Sequence, residues 1–317
     1  MKLVTFEQIK ELNVSPVTCV NWVKEAFSIK HESELPPKSS VHPSGIDFFT
    51  SMPCLLPVQY NTYCLKLVHR INGSVPALGS DILVYERSSG KLLALIDCDW
   101  ITAMRTGAVA TYAAQLFRKE GNLIYGFTGL GNTARSTLLC LLESEPDIQH
   151  TILLHEYKNY ADLFEERFSS YSNVVFKRAK SPEEFVRQSD VLFSCITQAE
   201  GNLFENTDWF QPGCLVIPVH TRGFQNCDLV FDKVFSDDTG HVKGFKYFNQ
   251  FRAYAELQDV VSGKVQGRET DRERILSYNV GIALHDALFA TKLWGMLCDS
   301  ASLRTIDLPK QTEKFWI

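Results

Sequence analysis

Lys66 interrupts an otherwise apolar run, Tyr63-Cys64-Leu65-Lys66-Leu67-Val68. A lysine at a buried strand position needs an opposite charge or a chemical task, because an ammonium removed from water is costly. Strand faces alternate, so the same residue can equally face solvent. Arg105 lies in Ile101-Thr102-Ala103-Met104-Arg105-Thr106-Gly107-Ala108. Small neighbours leave room there for a ligand or another backbone. A guanidinium in that setting can grip a carboxylate with two parallel hydrogen bonds, or complete a structural ion pair. Lys38, after Pro36-Pro37, is a third cation or an ordinary surface lysine. His220 is a candidate general acid/base, since imidazole titrates near neutrality, or a plain loop histidine.

A second group of residues is built for phosphate. Gly129-Leu130-Gly131-Asn132-Thr133-Ala134 follows the apolar run Leu123–Thr128 and precedes the helical Ser136–Leu142. Strand, glycine turn, helix is the order of a dinucleotide fingerprint. Gly129 permits the tight turn, Gly131 lets backbone approach a pyrophosphate, and Ala134 lets the helix pack close. The helix N-terminus then offers its partial positive charge to the phosphates. A second strand, Thr151–Leu154, runs into His155-Glu156. Glu156 falls at about the 20-residue spacing where a carboxylate meets the adenosine ribose, which favours NAD over NADP. Lys158 nearby leaves NADP open. Ser189–Thr197 reads as a later strand entering a polar loop, with Cys195, Ile196 and Thr197 facing the cofactor.

The elements that position these residues fall into two patterns. Ser15-Pro16 caps a helix with Val20, Val23, Ala26 and Phe27 on one face, ended by Pro36-Pro37. Ile46–Met52, Tyr63–Val68, Asp81–Tyr85 and Leu92–Ile96 read as sequential strands of an antiparallel or mixed sheet. A helix covers Thr102 to Phe117. Beyond it, Ser181-Pro182-Glu183-Glu184 is a capping box, Leu215–Val219 a strand, and Arg272 to Leu297 one long closing helix. The expected class is α/β: a Rossmann-type, doubly wound dinucleotide-binding domain over 118–273, plus an α+β substrate-binding and dimerisation domain from 1–117 and 274–317. A cleft between the two is the expected substrate site.

Composition narrows the alternatives. The chain has 317 residues, 45% of them hydrophobic, enough for two folded domains. A net charge of −5 gives no reason to expect nucleic acid or an anionic membrane as partner. No apolar run approaches the roughly 20 residues of a membrane span. Nine cysteines without a CxxC pair suit reduced core thiols in the cytoplasm. The histidines show no HExxH or paired metal spacing, so no metal is expected.

The segment from Ala94 to Ala108 resembles the signature of the ornithine cyclodeaminase/μ-crystallin family. The resemblance continues through Gly129–Arg135, Gly267-Arg268-Glu269 and Tyr278–Asp286, with Met52-Pro53 and Lys66 besides. It implies a homodimer that pairs first-domain sheets, and a nicotinamide cofactor contacted by Thr106 and the glycine turn (Gly129, Gly131, Asn132, Thr133, Ala134). It also implies Lys66 and Arg105 as ligands of a substrate α-carboxylate, with Met52 beside them. Lys38 falls where the family usually carries an arginine, so a point charge replaces a fork. Arg222 falls where true ornithine cyclodeaminases carry an aspartate for the substrate's side-chain amine. A guanidinium there disfavours ornithine and suits an anionic side group, as in branches resembling dehydrogenases of amino-acid conjugates. The other reading of Arg222 is a salt bridge to Asp228 or Asp232. The expected activity is therefore an NAD(P)-dependent amino-acid or imine oxidoreductase for an extra-carboxylate substrate, with Lys66, Arg222 and His220 as catalytic candidates. A cyclodeaminase using NAD catalytically and a nucleotide-dependent binding protein are the alternatives.

Overall fold

The protein is described by a computed structural model covering all residues except 198, 200, 221–222, 225–226, 310–312 and 315–317. The chain divides into two compact units. One comprises Met1–Asn13, Glu32–Thr102 and Asp286–Ile317; the other comprises Val14–His31 and Ala103–His285.

The first unit is built on a six-stranded sheet. Its strands are β1 (Lys2–Val4), β2 (Ser39–Val41), β3 (Phe48–Leu55), β4 (Thr62–Arg70), β5 (Leu78–Glu86) and β6 (Leu92–Asp97), in the order β1-β6-β5-β4-β3-β2. The meander β2 to β6 is antiparallel, while β1 joins β6 in parallel, so the sheet is mixed. Alternation along β4 is clear: Thr62, Cys64 and Lys66 are buried, and Tyr63, Leu65 and Leu67 face the other way. Lys66 therefore lies on the inward face, in register with Met52 of β3 and Ile82 of β5. The short helix α1 (Phe6–Glu11) opens on a reciprocal capping box between Thr5 and Gln8.

Helix α2 (Pro16–Ile29) begins as the sequence dictates, with Ser15 Oγ accepting the Thr18 N–H at 3.1 Å. Val20, Val23, Ala26 and Phe27 are all buried. The helix stops at Ile29, seven residues before the expected proline stop, and one 3-10 turn follows. Helix α3 (Asp99–Phe117) spans the expected segment and carries the chain from the first unit into the second.

The second unit is a doubly wound parallel sheet. Its elements are β7 (Ile124–Thr128), α4 (Asn132–Ser144), β8 (His150–His155), α5 (Tyr160–Arg167), β9 (Val174–Arg178), α6 (Pro182–Gln188), β10 (Val191–Ser194) and β11 (Leu215–Pro218). β12 (Lys233–Ser236), α7 (Thr239–Val242), β13 (Tyr254–Glu256), α8 (Leu257–Val261), β14 (Ile275–Tyr278) and α9 (Ala283–Leu297) complete it; α9 continues into the first unit. The strand order is β13-β12-β14-β11-β10-β7-β8-β9. From β7 the chain winds outward to β8 and β9, then returns to the other side for β10 and β11. The strand order thus reverses between β7 and β10, and ligands of such sheets bind at the carboxyl ends there.

Three further sequence expectations change. The segment read as one long closing helix contains a strand: Ile275, Leu276, Ser277 and Tyr278 are all buried, and they form β14 between β11 and β12. A four-residue apolar run carries too little periodicity to separate strand from helix. The late strand Ser189–Thr197 is hydrogen-bonded only over Val191–Ser194. Ser181 caps α6, but Glu184 accepts from the Lys180 N–H instead of closing a reciprocal box. Among the described residues no helix is long and apolar enough to cross a membrane, and no group of three side chains could hold a metal ion. All nine cysteines are free, and eight are buried.

Candidate active site

The glycine turn is fixed by sterics. Gly129 leaves β7 with φ +78°, and a Cβ there would lie 2.5 Å from the Cys195 carbonyl carbon and 2.5 Å from the Ile196 nitrogen. Only glycine satisfies both constraints. Gly131 N-caps α4 with no side-chain cap, and open space surrounds the position of its absent Cβ. The first turn of α4 has no acidic residue, and Ala134 is fully buried. Uncapped amides, an open glycine and a helix dipole fit the pyrophosphate of a dinucleotide. Gly107 of α3 presses against α4 in turn: a Cβ there would come within 2.4 Å of the Ser136 carbonyl carbon. Its neighbour Thr106 is half-buried on the same helix.

The carboxyl ends of β8, β7, β10 and β11 carry a row of polar side chains. Thr128 Oγ1 lies 3.1 Å from His155 Nδ1, and Ser194 Oγ lies 2.7 Å from His220 Nε2. Burial lowers the His155 pKa, which keeps that ring neutral at physiological pH. Glu156, one strand out from the glycine turn, stands partly exposed. Its Oε1 accepts the Ala161 N–H at 3.2 Å, and Arg178 Nη1 lies 3.8 Å from Oε2. Lys158 instead places its ammonium over the Tyr157 ring, 4.9 Å from the centroid. Burial pushes the Cys195 thiol up to about 12, so this cysteine is no nucleophile near neutrality. Ile196 is half-buried and Thr197 exposed. Arg105, also in this unit, is buried, with its guanidinium against Gly281.

In the first unit Lys66 has no solvent exposure. Its Nζ donates to Asp286 Oδ1 at 2.7 Å and to Thr102 Oγ1 at 2.6 Å. Thr102 Oγ1 lies 2.8 Å from Ser80 Oγ, which donates to Asp99 Oδ1 at 3.0 Å. An ammonium has three donors; the third of Lys66 has no acceptor among the described residues. Asp286 is equally buried. Its place in the site escaped the sequence reading, although an aspartate inside the apolar stretch Ile282–Leu288 was the available signal for a buried lysine's partner. Met52 is buried beside Lys66, and Lys38 is half-buried.

Arg222 lies outside the described residues. Asp228 accepts the Tyr278 hydroxyl at 2.6 Å, and burial lifts its carboxyl to about 6. Asp232 accepts from Arg252 at 3.0 Å and from the Arg274 N–H at 2.9 Å.

The second unit carries a glycine turn at the reversal point of a parallel sheet and the first buries a lysine–aspartate pair, features that fit an NAD(P)-dependent oxidoreductase. The chain belongs to the ornithine cyclodeaminase/mu-crystallin family, whose model matches residues 2–299. It is 26% identical over 320 residues to the nodulation efficiency protein NfeD of Rhizobium meliloti, covering 96% of this chain and 95% of that one. It is 24% identical over 221 residues to an N-((2S)-2-amino-2-carboxyethyl)-L-glutamate dehydrogenase of Staphylococcus aureus, covering 65% and 64%. Among solved structures, the Thermococcus litoralis Δ1-pyrroline-2-carboxylate reductase in complex with NADH and L-proline superposes with a TM-score of 0.84 at 22% identity, covering 96% of this chain and 100% of that one.

Proposed function

We propose that the protein transfers a hydride between a nicotinamide cofactor and the α-carbon of an amino acid or its imine, and that its substrate carries an additional carboxylate. The observation that carries this reading is the buried Lys66 ammonium, clasped by Asp286 and Thr102 with one donor unspent. Such a group is preorganised for an anion, because its partners already hold it in place. Lys66 and Arg105 bind the α-carboxylate, Lys38 adds charge, and Met52 shapes the contact. Arg222 takes the additional carboxylate, the chemistry that the staphylococcal relative's name describes for its own substrate. His220, tied to Ser194, holds or moves a proton at the reacting nitrogen. When bound, the nicotinamide supplies the hydride acceptor. Oxidation of the C–N bond gives an imine, and water then releases a keto acid and an amine.

Glu156 supports NAD as the cofactor, since its carboxylate repels a 2′-phosphate. A homodimer is supported by the outer face of the six-stranded sheet, where Leu65, Leu67, Leu83 and Leu95 line an open apolar depression with Ser51 and Asp81. The free buried thiols suit the cytoplasm.

The test is a panel followed by NADH absorbance: N-(1-carboxyethyl)-L-glutamate, L-proline, L-alanine and L-ornithine with NAD or NADP, and Δ1-pyrroline-2-carboxylate with the reduced cofactors. The expected result is fastest turnover with the conjugate and NAD. Proline and ammonia formed from ornithine without net NADH would instead identify a cyclodeaminase. Tight NADH binding with no turnover across the panel would identify a binding protein. Light scattering after size exclusion should return twice the 36.0 kDa chain mass.

A further inference from the structure

Gly281 follows β14 with φ +83°. A Cβ at that position would lie 2.4 Å from Nη1, 3.0 Å from Nη2 and 3.1 Å from Cζ of Arg105. The guanidinium therefore rests flush on the Gly281 backbone, where any side chain would displace it. The backbone is itself pinned. The Gly281 N–H donates to Asp237 Oδ2 at 2.6 Å, and Asp237 is fully buried just past the end of β12. The Asp237 N–H donates to the Tyr278 carbonyl at 3.1 Å, tying the exit of β12 to that of β14.

The last link is Lys30, which caps the C-terminus of α2 and is buried. Its Nζ donates to the Asp237 carbonyl at 2.9 Å, pairs with Asp238 at 3.0 Å and with Glu256 at 2.5 Å. Burial works against this ammonium, but Glu256 and Asp238 outweigh it and raise its pKa, so Lys30 stays charged. Every residue of this chain of contacts belongs to the second unit.

We propose that Asp237 and Gly281 are positioning residues that set the orientation of the Arg105 guanidinium, with Lys30 as their anchor. A bidentate grip on a carboxylate depends on the plane of the fork, which a flexible arginine side chain does not fix unaided. A flat glycine surface behind the fork supplies that plane. Asp237 holds the glycine at its height, and the Lys30 cluster holds Asp237. The inference rests on Arg105 as the carboxylate ligand, as proposed above.

The experiment reads the fork directly and the ligand separately. Protein labelled with 15N-arginine gives the Arg105 Nε–H resonance, assigned by its loss in Arg105→Lys. In Gly281→Ala and in Asp237→Ala the resonance should shift and lose order on the nanosecond timescale. Asp237→Asn retains an acceptor for the Gly281 N–H and should restore most of it. An Arg105 signal unchanged in both Gly281→Ala and Asp237→Ala overturns the proposal. If Gly281→Ala does not fold, the two Asp237 variants decide. Calorimetry with N-(1-carboxyethyl)-L-glutamate on protein saturated with NADH, which cannot oxidise it, should then show affinity weakened about tenfold in Gly281→Ala, with NADH affinity within about twofold of the parent. If Arg105→Lys leaves the affinity for the conjugate unchanged, the carboxylate role fails, while the resonance still judges the positioning pair.

Discussion

The two sheets prepare chemistry in opposite ways. In the eight-stranded sheet the proposed binding groups are mostly backbone: uncapped amides, two glycines and the strand ends on either side of the reversal. What matters at those positions is the absence of side chain: surrounding backbone enforces it at 2.5 Å for Gly129, while the space beside Gly131 is open. In the six-stranded sheet the corresponding feature is one charge placed mid-strand, bound to an aspartate 220 residues away in sequence. Backbone sites cost less in stability, because no ionised side chain has to be desolvated. A buried ammonium costs several kcal/mol unless its partner is present. On the proposed function, one sheet serves a large ligand held at many points, and the other a small anion held by few.

The sharpest way to break this contrast is Lys66→Ala. Asp286 would be left as a buried charge, and unfolding in urea should show a loss of about 3–5 kcal/mol. Turnover should vanish while NADH affinity, read by fluorescence titration, stays near the parent value. The double variant Lys66→Met/Asp286→Leu should recover most of the stability and none of the turnover. Turnover that returns together with stability in the double variant would show that the lysine serves folding alone.

Gly129→Ala is the matching test on the other sheet. Strain at positive φ and a 2.5 Å backbone clash should weaken NADH binding about 100-fold, or about 3 kcal/mol. An unperturbed Kd would remove the glycine turn from the site.

Asp228 probes the parallel sheet's own buried charge. Its folded pKa of about 6 lies above the ordinary 3.8, so the folded state holds the proton more tightly than the unfolded one between those values. The carboxyl therefore penalises stability increasingly as pH rises through 6, and the penalty is absent below about 4. Asp228→Asn should raise stability by on the order of 1–3 kcal/mol at pH 7.5, with the gain fading by pH 4. A gain independent of pH would show that the carboxyl is not the source.

The smallest expected effect is at Glu156, which is partly exposed. Glu156→Ser should raise the preference for NADPH over NADH about tenfold, measured as the ratio of kcat/KM values. No change would move discrimination to other residues of that strand end.

The legibility of each region follows from how local its determinants are. The four sequential strands β3 to β6 and the turn after β7 were readable, because alternation and glycine spacing act within a few residues. The fate of Lys66 was not, because alternation establishes two faces without saying which is covered. Its partner lies on the last helix, and only folding brings the two together. β14 was hidden for a related reason: four apolar residues next to a helical tail match either period. The seat of Arg105 combines a glycine, an aspartate and a lysine from three distant segments, and none of the three is unusual in its own neighbourhood. The glycine that supports the fork lies in a recognisable block, yet its positive φ and the guanidinium pressed against it appear only in the folded chain.

Gly107 carries a consequence for how the second unit can adapt. Where α3 crosses α4, no side chain separates the helices, so bare main chain meets bare main chain. Spacing set by side chains can drift as residues are exchanged over generations or as rotamers hop, whereas this spacing is already at its floor. The guanidinium two residues earlier and the glycine turn at the head of α4 are consequently carried by two helices in direct main-chain contact. Selection for a new substrate cannot bring these two helices closer at that point, which leaves the surrounding loops to change.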